Sequence, residues 1–161
     1  ILYNVPSRTG VNIEPETCLE LSKIENIVAI KEASGNISQV AKIAALCGES
    51  LHIYSGNDDQ IVPMLSLGGK GVISVLSNIM PEYTHNITKN FFDGNVVEAA
   101  KMQLECGEII KYLFCEVNPI PVKEGLNIMK FEFGVPRLPL VRMTEGNRKK
   151  LVECMRHFKV V

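Results

Sequence analysis

An α/β fold built on a parallel sheet is predicted by three features of this sequence. Short β-rich runs alternate with longer stretches of helical periodicity, the alternation repeats four times within the first 93 residues, and no strand-like run follows Asn95. The runs start about twenty to thirty residues apart, enough for a helical crossover, and strands joined by crossovers are parallel. Periodicity alone leaves open whether the units form an open doubly wound sheet or part of an eight-stranded barrel.

The elements follow in order. "ILY" (1–3) is the first strand, and "NVPSRTGVNI" is a loop. Residues 14–23 set Cys18, Leu19 and Ser22 at helical spacing, with Pro15 suited to a first turn. "IVAIK" (27–31) is the second strand; its alternation assigns Ile27, Ala29 and Lys31 to one face and Val28 and Ile30 to the other. From Ile37 a stripe of Val40, Ala41, Ala44 and Ala45 runs toward Gly48, where the helix ends.

"LHIYS" (51–55) is the third strand, and "NDDQIVPMLSL" the next helix, with Asn57 or Ser55 as cap and carboxylates in its first turn. "GVISV" (71–75) is the fourth, followed by a helix from about Pro81 to Phe92. The remainder divides into three helices near 95–114, 119–130 and 144–158, joined by "FGVPRLPLV". Its methionines at helical spacing are core.

Composition narrows the function classes. The 161 residues suffice for one domain with a real core, and 46% apolar content is ordinary for a globular chain. A net charge of −1 with dispersed charges gives no attraction to nucleic acid or to an anionic membrane. No apolar run has membrane-spanning length, and the first residues lack the basic region of a signal peptide. The five cysteines are odd in number, widely spaced and in no C-x-x-C pair, as expected of reduced thiols in cytosol. Small molecules and copies of the chain itself are the expected partners. The chain opens on "ILY" without methionine and is expected to start partway through an element of a longer protein.

Lys31 ends an apolar strand above Ala29. An amine in that setting loses hydration, its pKa tends to fall, and the neutral form attacks carbonyl carbon, so Lys31 is a candidate Schiff-base lysine. The alternative is a lysine that snorkels to water. Tyr3 also ends a strand, and paired strands lie about 4.8 Å apart, so its phenol can reach the lysine and shuttle protons if the two strands are neighbours. The alternative there is a core aromatic bonded to the backbone.

Arg8 lies in the loop after the first strand, where a guanidinium suits a substrate carboxylate, although a solvated loop arginine fits the same position. Gly56 in "YSGNDD" lets a ligand approach the backbone. Asp58 and Asp59 complement a helix dipole and are not metal ligands, since His52, His85 and His157 are remote in sequence. "GGKGVIS" precedes a strand, so its glycines end a helix and do not cradle a phosphate. No nucleophile elbow or serine triad is present.

Taken together and in this order, "YNVPSRTG", "IKEASGN", "YSGNDD", "GGKGVISV" and "NPIPVK" resemble the carboxyl-terminal part of the dihydrodipicolinate synthase family, in the pyruvate-dependent class I aldolase superfamily, from residue 1 to about 158. The resemblance implies a (β/α)8 barrel of which residues 1–93 supply strands five to eight, with residues 94–161 as a helical extension. It implies that Lys31 forms an imine with pyruvate, that Tyr3 transfers protons, that Arg8 holds the carboxylate of aspartate semialdehyde, and that Gly56 and Ile73 line the pocket. The implied reaction leads to 4-hydroxy-tetrahydrodipicolinate, on the way to lysine and diaminopimelate, in a homo-oligomer and with neither cofactor nor metal.

The related N-acetylneuraminate lyases share the tyrosine and the lysine but usually lack the loop arginine, so Arg8 favours the synthase. A sialic acid or keto-sugar acid lyase and a non-catalytic assembly module are the alternatives. The resemblance further implies that the threonines for the pyruvate carboxylate, a tyrosine from a neighbouring subunit and the lysine feedback site lie outside these residues. An isolated half barrel is therefore expected to be inactive, and to aggregate or self-associate through its open edges.

Overall fold

A computed structural model describes residues 1–161. Four strands, β1 (Leu2–Asn4), β2 (Ala29–Glu32), β3 (His52–Ser55) and β4 (Gly71–Val72), form one sheet in the order β1-β2-β3-β4. Every neighbouring pair is parallel. The connections carry α1 (Pro6–Thr9), α2 (Pro15–Leu21), α3 (Ile37–Cys47) and α4 (Ile61–Ser66). After β4 come α5 (Pro81–Phe92), α6 (Val96–Glu105), α7 (Gly107–Leu113), α8 (Ile120–Ile128) and α9 (Glu145–His157).

One face of the sheet is covered by helices. Ile30 and Ile53 are buried there with Cys18, Val40, Ile43 and Met64 from α2, α3 and α4. A second, larger core joins Ile61 and Leu65 of α4 and Ile87 of α5 to Ile109, Leu126, Leu151 and Met155 of the later helices. The carboxyl-terminal helices thus share apolar contacts with the last two βα units. Full burial of one such side chain contributes roughly 1.5–3 kcal/mol. The other face of the sheet has no helix over it. Ile1, on that side, is 74% exposed.

Several boundaries differ from those read in the sequence, each for a local reason. The first loop holds α1, which Gly10 ends in a left-handed conformation (φ 71°), its N–H donating to the Pro6 carbonyl. The second strand starts at Ala29, because Ile27 closes a turn by donating to the Ile24 carbonyl at 2.9 Å. Ile27 consequently packs with the helix-covered core instead of sharing the face of Lys31.

The helix expected from Asn57 begins as a 3-10 turn, Asp58–Gln60, and becomes α4 only at Ile61. Pro63 has no N–H to donate to the carbonyl four residues earlier, which disfavours a continuous α-helix across that point. Neither Asn57 nor Ser55 caps α4, since the Ser55 hydroxyl is engaged with the Asn57 backbone. The long helix near 95–114 breaks at Cys106, just before Gly107, a poor helix former.

Candidate active site

The sheet register aligns the candidate residues. Tyr3, Lys31, Tyr54 and Gly71 are successive partners across the four strands and so share one face. Asn4, Glu32, Ser55 and Val72 form the next rung, on the opposite, helix-covered face. The ladder runs one residue further: the amides of Ala33, Gly56 and Ile73 donate to the carbonyls of Asn4, Glu32 and Ser55 at 2.9, 2.8 and 2.8 Å. By alternation these three return to the face of Lys31. All of them lie at the carboxyl ends of parallel strands, where α/β folds gather their chemistry.

On this uncovered face the Lys31 ammonium stands over the ring of Tyr3, 4.3 Å from its centroid. Such a contact is worth about 0.5–1 kcal/mol at an exposed site. Tyr3 is 48% exposed. Lys31 is half-buried instead of enclosed. Gly56 is in contact with its stem: a Cβ built there would be 3.1 Å from Lys31 Cε and 2.6 Å from Ala33 Cβ.

Two further candidates stand at the same end of the sheet. Ile73, 39% exposed, follows β4. Arg8 is exposed on α1, and its guanidinium joins no ion pair within the chain. The structure therefore gathers Tyr3, Lys31 and Gly56, and holds Arg8 and Ile73 at the same end of the sheet.

One buried carboxylate escapes the sequence reading, and a second does more than that reading assigns it. Glu32, 1% exposed, accepts from Asn4 Nδ2 at 2.9 Å, Gln39 Nε2 at 3.2 Å and the Ser34 amide at 2.6 Å. Asn12 joins this network through Asn4 and Gln39. Strand alternation carries the signal, since it turns the residue after Lys31 away from Lys31's face.

Asp58, also 1% exposed, stands in the first turn of its helix as expected, and its Oδ2 further accepts the amides of Val75 and Leu76, each at 3.0 Å. That interaction bends the chain out of the sheet, so the fourth strand stops at Val72 instead of running to Val75. Burial pushes the Asp58 carboxyl up, against the Ser74 hydroxyl and the two amides, which favour the anion. Burial raises the pKa of all five cysteine thiols. Burial pushes Cys18 up to about 11 and Cys106 up to about 12, far from a thiolate at neutral pH.

The profile of the dihydrodipicolinate synthetase family matches residues 1–158. The chain belongs to this family. It is 63% identical to the 4-hydroxy-tetrahydrodipicolinate synthase of Caldicellulosiruptor saccharolyticus over 155 residues, covering 96% of this chain and 52% of that protein. Among solved structures, the dihydrodipicolinate synthase of Thermotoga maritima superposes with a TM-score of 0.96 at 37% identity, over 99% of this chain and 55% of that one. The enzyme from Acinetobacter baumannii, solved as a complex with pyruvate, superposes with a TM-score of 0.94 at 32% identity, over 99% of this chain and 55% of that one. The chain spans about half the length of the curated relatives it matches. Within the family fold its four strands are one half of a (β/α)8 barrel, and the uncovered face of the sheet is the barrel interior.

Proposed function

We propose that this chain carries the imine-forming half of an active site that condenses pyruvate with aspartate semialdehyde to give 4-hydroxy-tetrahydrodipicolinate. The observation that carries the reading is the Lys31 amine 4.3 Å over the Tyr3 ring, at the carboxyl rim of parallel strands. The free amine of Lys31 adds to the keto carbon of pyruvate, and loss of water gives the imine. A proton then leaves the methyl carbon, and the resulting enamine carbon bonds to the aldehyde carbon of the acceptor. The acceptor's amino group attacks the regenerated imine carbon, closing the ring and releasing Lys31 as the free amine. Tyr3 moves protons to and from the oxygen and nitrogen during these steps.

Arg8 is assigned to the acceptor carboxylate, which a guanidinium grips in bidentate fashion. Gly56 and Ile73 line the pocket. The pyruvate complex of the Acinetobacter baumannii relative supports the keto-acid half of the assignment. In those relatives about half of the length lies outside the match, and we assign the remaining substrate contacts to that half of the barrel.

We divide the chain at residue 93, with 94–161 as the helical extension, and place the protein in the cytosol as a homo-oligomer. All five cysteines are free, which suits a reducing compartment, and no helix is long and apolar enough to cross a membrane.

The test is reductive trapping. The chain alone, and a barrel completed with the amino-terminal half of the Caldicellulosiruptor saccharolyticus relative, are incubated with pyruvate, reduced with borohydride and mapped by mass spectrometry. An adduct on Lys31 of the completed barrel is expected; its absence there overturns the assignment.

A further inference from the structure

The carboxylate of Glu32 is buried behind the sheet with only neutral donors around it. Asn4 Nδ2, Gln39 Nε2 and the Ser34 amide reach it, and no lysine or arginine pairs with it. A buried carboxyl group without a counter-ion is a poor device for stability, because an apolar pair of similar volume avoids the desolvation it demands. What it offers is discrimination between registers.

β1 pairs with β2 in one register, with Tyr3 opposite Lys31 and Asn4 opposite Glu32. A one-residue slip of this pairing would turn Tyr3 to the covered face. Apolar side chains tolerate such a slip, whereas the Asn4–Glu32 bond forms in one register only. Asn4 is fixed at its other end too, its Oδ1 accepting the Ile13 amide at 3.0 Å and its Nδ2 also reaching Asn12 Oδ1 at 2.9 Å.

We infer that Asn4 and Glu32 are a positioning pair: their hydrogen bond across the covered face of β1 and β2 holds Tyr3 opposite Lys31 on the other face, and so sets the geometry of imine formation. The pair touches no substrate and acts through its chain neighbours. The catalytic consequence rests on the reading of Lys31 as the imine-forming residue, while the alignment itself does not.

Three variants of the completed barrel separate the possibilities. Glu32→Gln changes one atom, yet its amide faces either Asn4 Nδ2 or the Ser34 N–H with a second donor. Asn4→Asp combined with Glu32→Gln reverses the bond: the introduced side-chain amide on β2 donates to the introduced carboxylate on β1, with the Gln39 and Asn12 amides free to turn over. Asn4→Leu combined with Glu32→Leu keeps the volume apolar and removes the bond.

Two quantities are read in each: the rate of pyruvate trapping on Lys31, and amide exchange at Ala33, whose N–H bonds the Asn4 carbonyl and reports the β1–β2 ladder. Glu32→Gln and the leucine pair are expected to remain folded and to lose roughly tenfold in trapping rate, as misalignment of reacting groups does. Ala33 exchange rises in both. The reversed pair restores trapping to within about threefold of the original.

Wild-type exchange at Ala33 in Glu32→Gln overturns the alignment, whatever the trapping shows. Faster exchange with unchanged trapping overturns the catalytic consequence. A reversed pair no better than Glu32→Gln alone overturns the pairing. Should the original protein trap no pyruvate at all, the reading of Lys31 fails, and the exchange data still decide whether the pair sets the register.

Discussion

Gly56 lies against the stem of Lys31, so close that a Cβ at this position would sit 3.1 Å from Lys31 Cε, 2.6 Å from Ala33 Cβ and 3.2 Å from the Glu32 carbonyl oxygen. The lysine can bend, but the other two contacts are fixed by the β2–β3 ladder, in which the Gly56 amide bonds that same carbonyl. Gly56→Ala should therefore destabilise the protein by about 1–3 kcal/mol, as overpacking does. It should also slow Lys31 trapping, because the stem is driven from its place. Chemical denaturation and adduct yield read the two effects, and an alanine variant of unchanged stability would show that the sheet yields here.

Tyr3→Phe keeps the ring beneath the Lys31 ammonium and removes only the hydroxyl. The fold and the ring contact should survive. Trapping should slow by about 10²-fold, the usual loss when a proton-transfer group is deleted. Measuring the trapping rate beside the thermal midpoint separates proton transfer from packing. A phenylalanine variant that traps at the original rate would leave Tyr3 as a support for the lysine and nothing more.

Tyr3 and Lys31 are legible in the sequence because each closes an apolar run, and the end of a parallel strand is a place that periodicity can locate. Alternation turns their neighbours Asn4 and Glu32 to the other face, but it does not show them buried. A polar residue at a strand end looks solvated until α2 and α3 are seen to cover it. Alternation places Ile27 on the wrong face because it counts from a residue that the Ile24–Ile27 turn keeps outside the strand. The length of the fourth strand depends on Asp58, whose side chain takes the amides of residues 17 and 18 positions away. Local pattern carries no record of such a contact. The family motifs supply what periodicity leaves undecided, the choice of a barrel over an open sheet.

The uncovered face leads to a prediction about assembly. Ile1, Tyr3 and Ile73 expose 74%, 48% and 39% of their surface, and β1 and β4 each have a neighbour on one side only. Open parallel edges and exposed apolar groups recruit further chains. At micromolar concentration the chain alone should self-associate, seen as a mass above 17.9 kDa by size-exclusion chromatography with light scattering. Ile1→Lys with Ile73→Lys should reduce it. A monomeric original chain would count against this face as the cause.

Two carboxylates should tilt the acid limb of stability in opposite directions. Glu116 Oε1 accepts the Thr144 hydroxyl at 2.6 Å, the Thr144 amide at 3.0 Å and Asn147 Nδ2 at 2.8 Å, tying down the start of α9. Burial alone would raise its pKa, but the Thr144 and Asn147 donors outweigh burial and hold the carboxyl below the ordinary glutamate range. The unfolded chain then takes up this proton at a higher pH than the folded one. The contribution of Glu116 is thus fully present above the unfolded value of about 4.3 and is lost as pH falls through the lower folded value. Asp58 behaves oppositely, since burial lifts its folded pKa above the unfolded value. Between those two values the folded state binds more protons, and stability declines as pH rises. Glu116→Gln should lower stability by about 1 kcal/mol at neutral pH, a typical loss for a helix-start contact, and flatten the decline below pH ~4.3. Asp58→Asn keeps an oxygen for the Val75 and Leu76 amides and should remove the opposing slope. Denaturation midpoints of the three proteins across the acid range decide it, and identical pH slopes would mean that neither carboxylate is held as the structure shows.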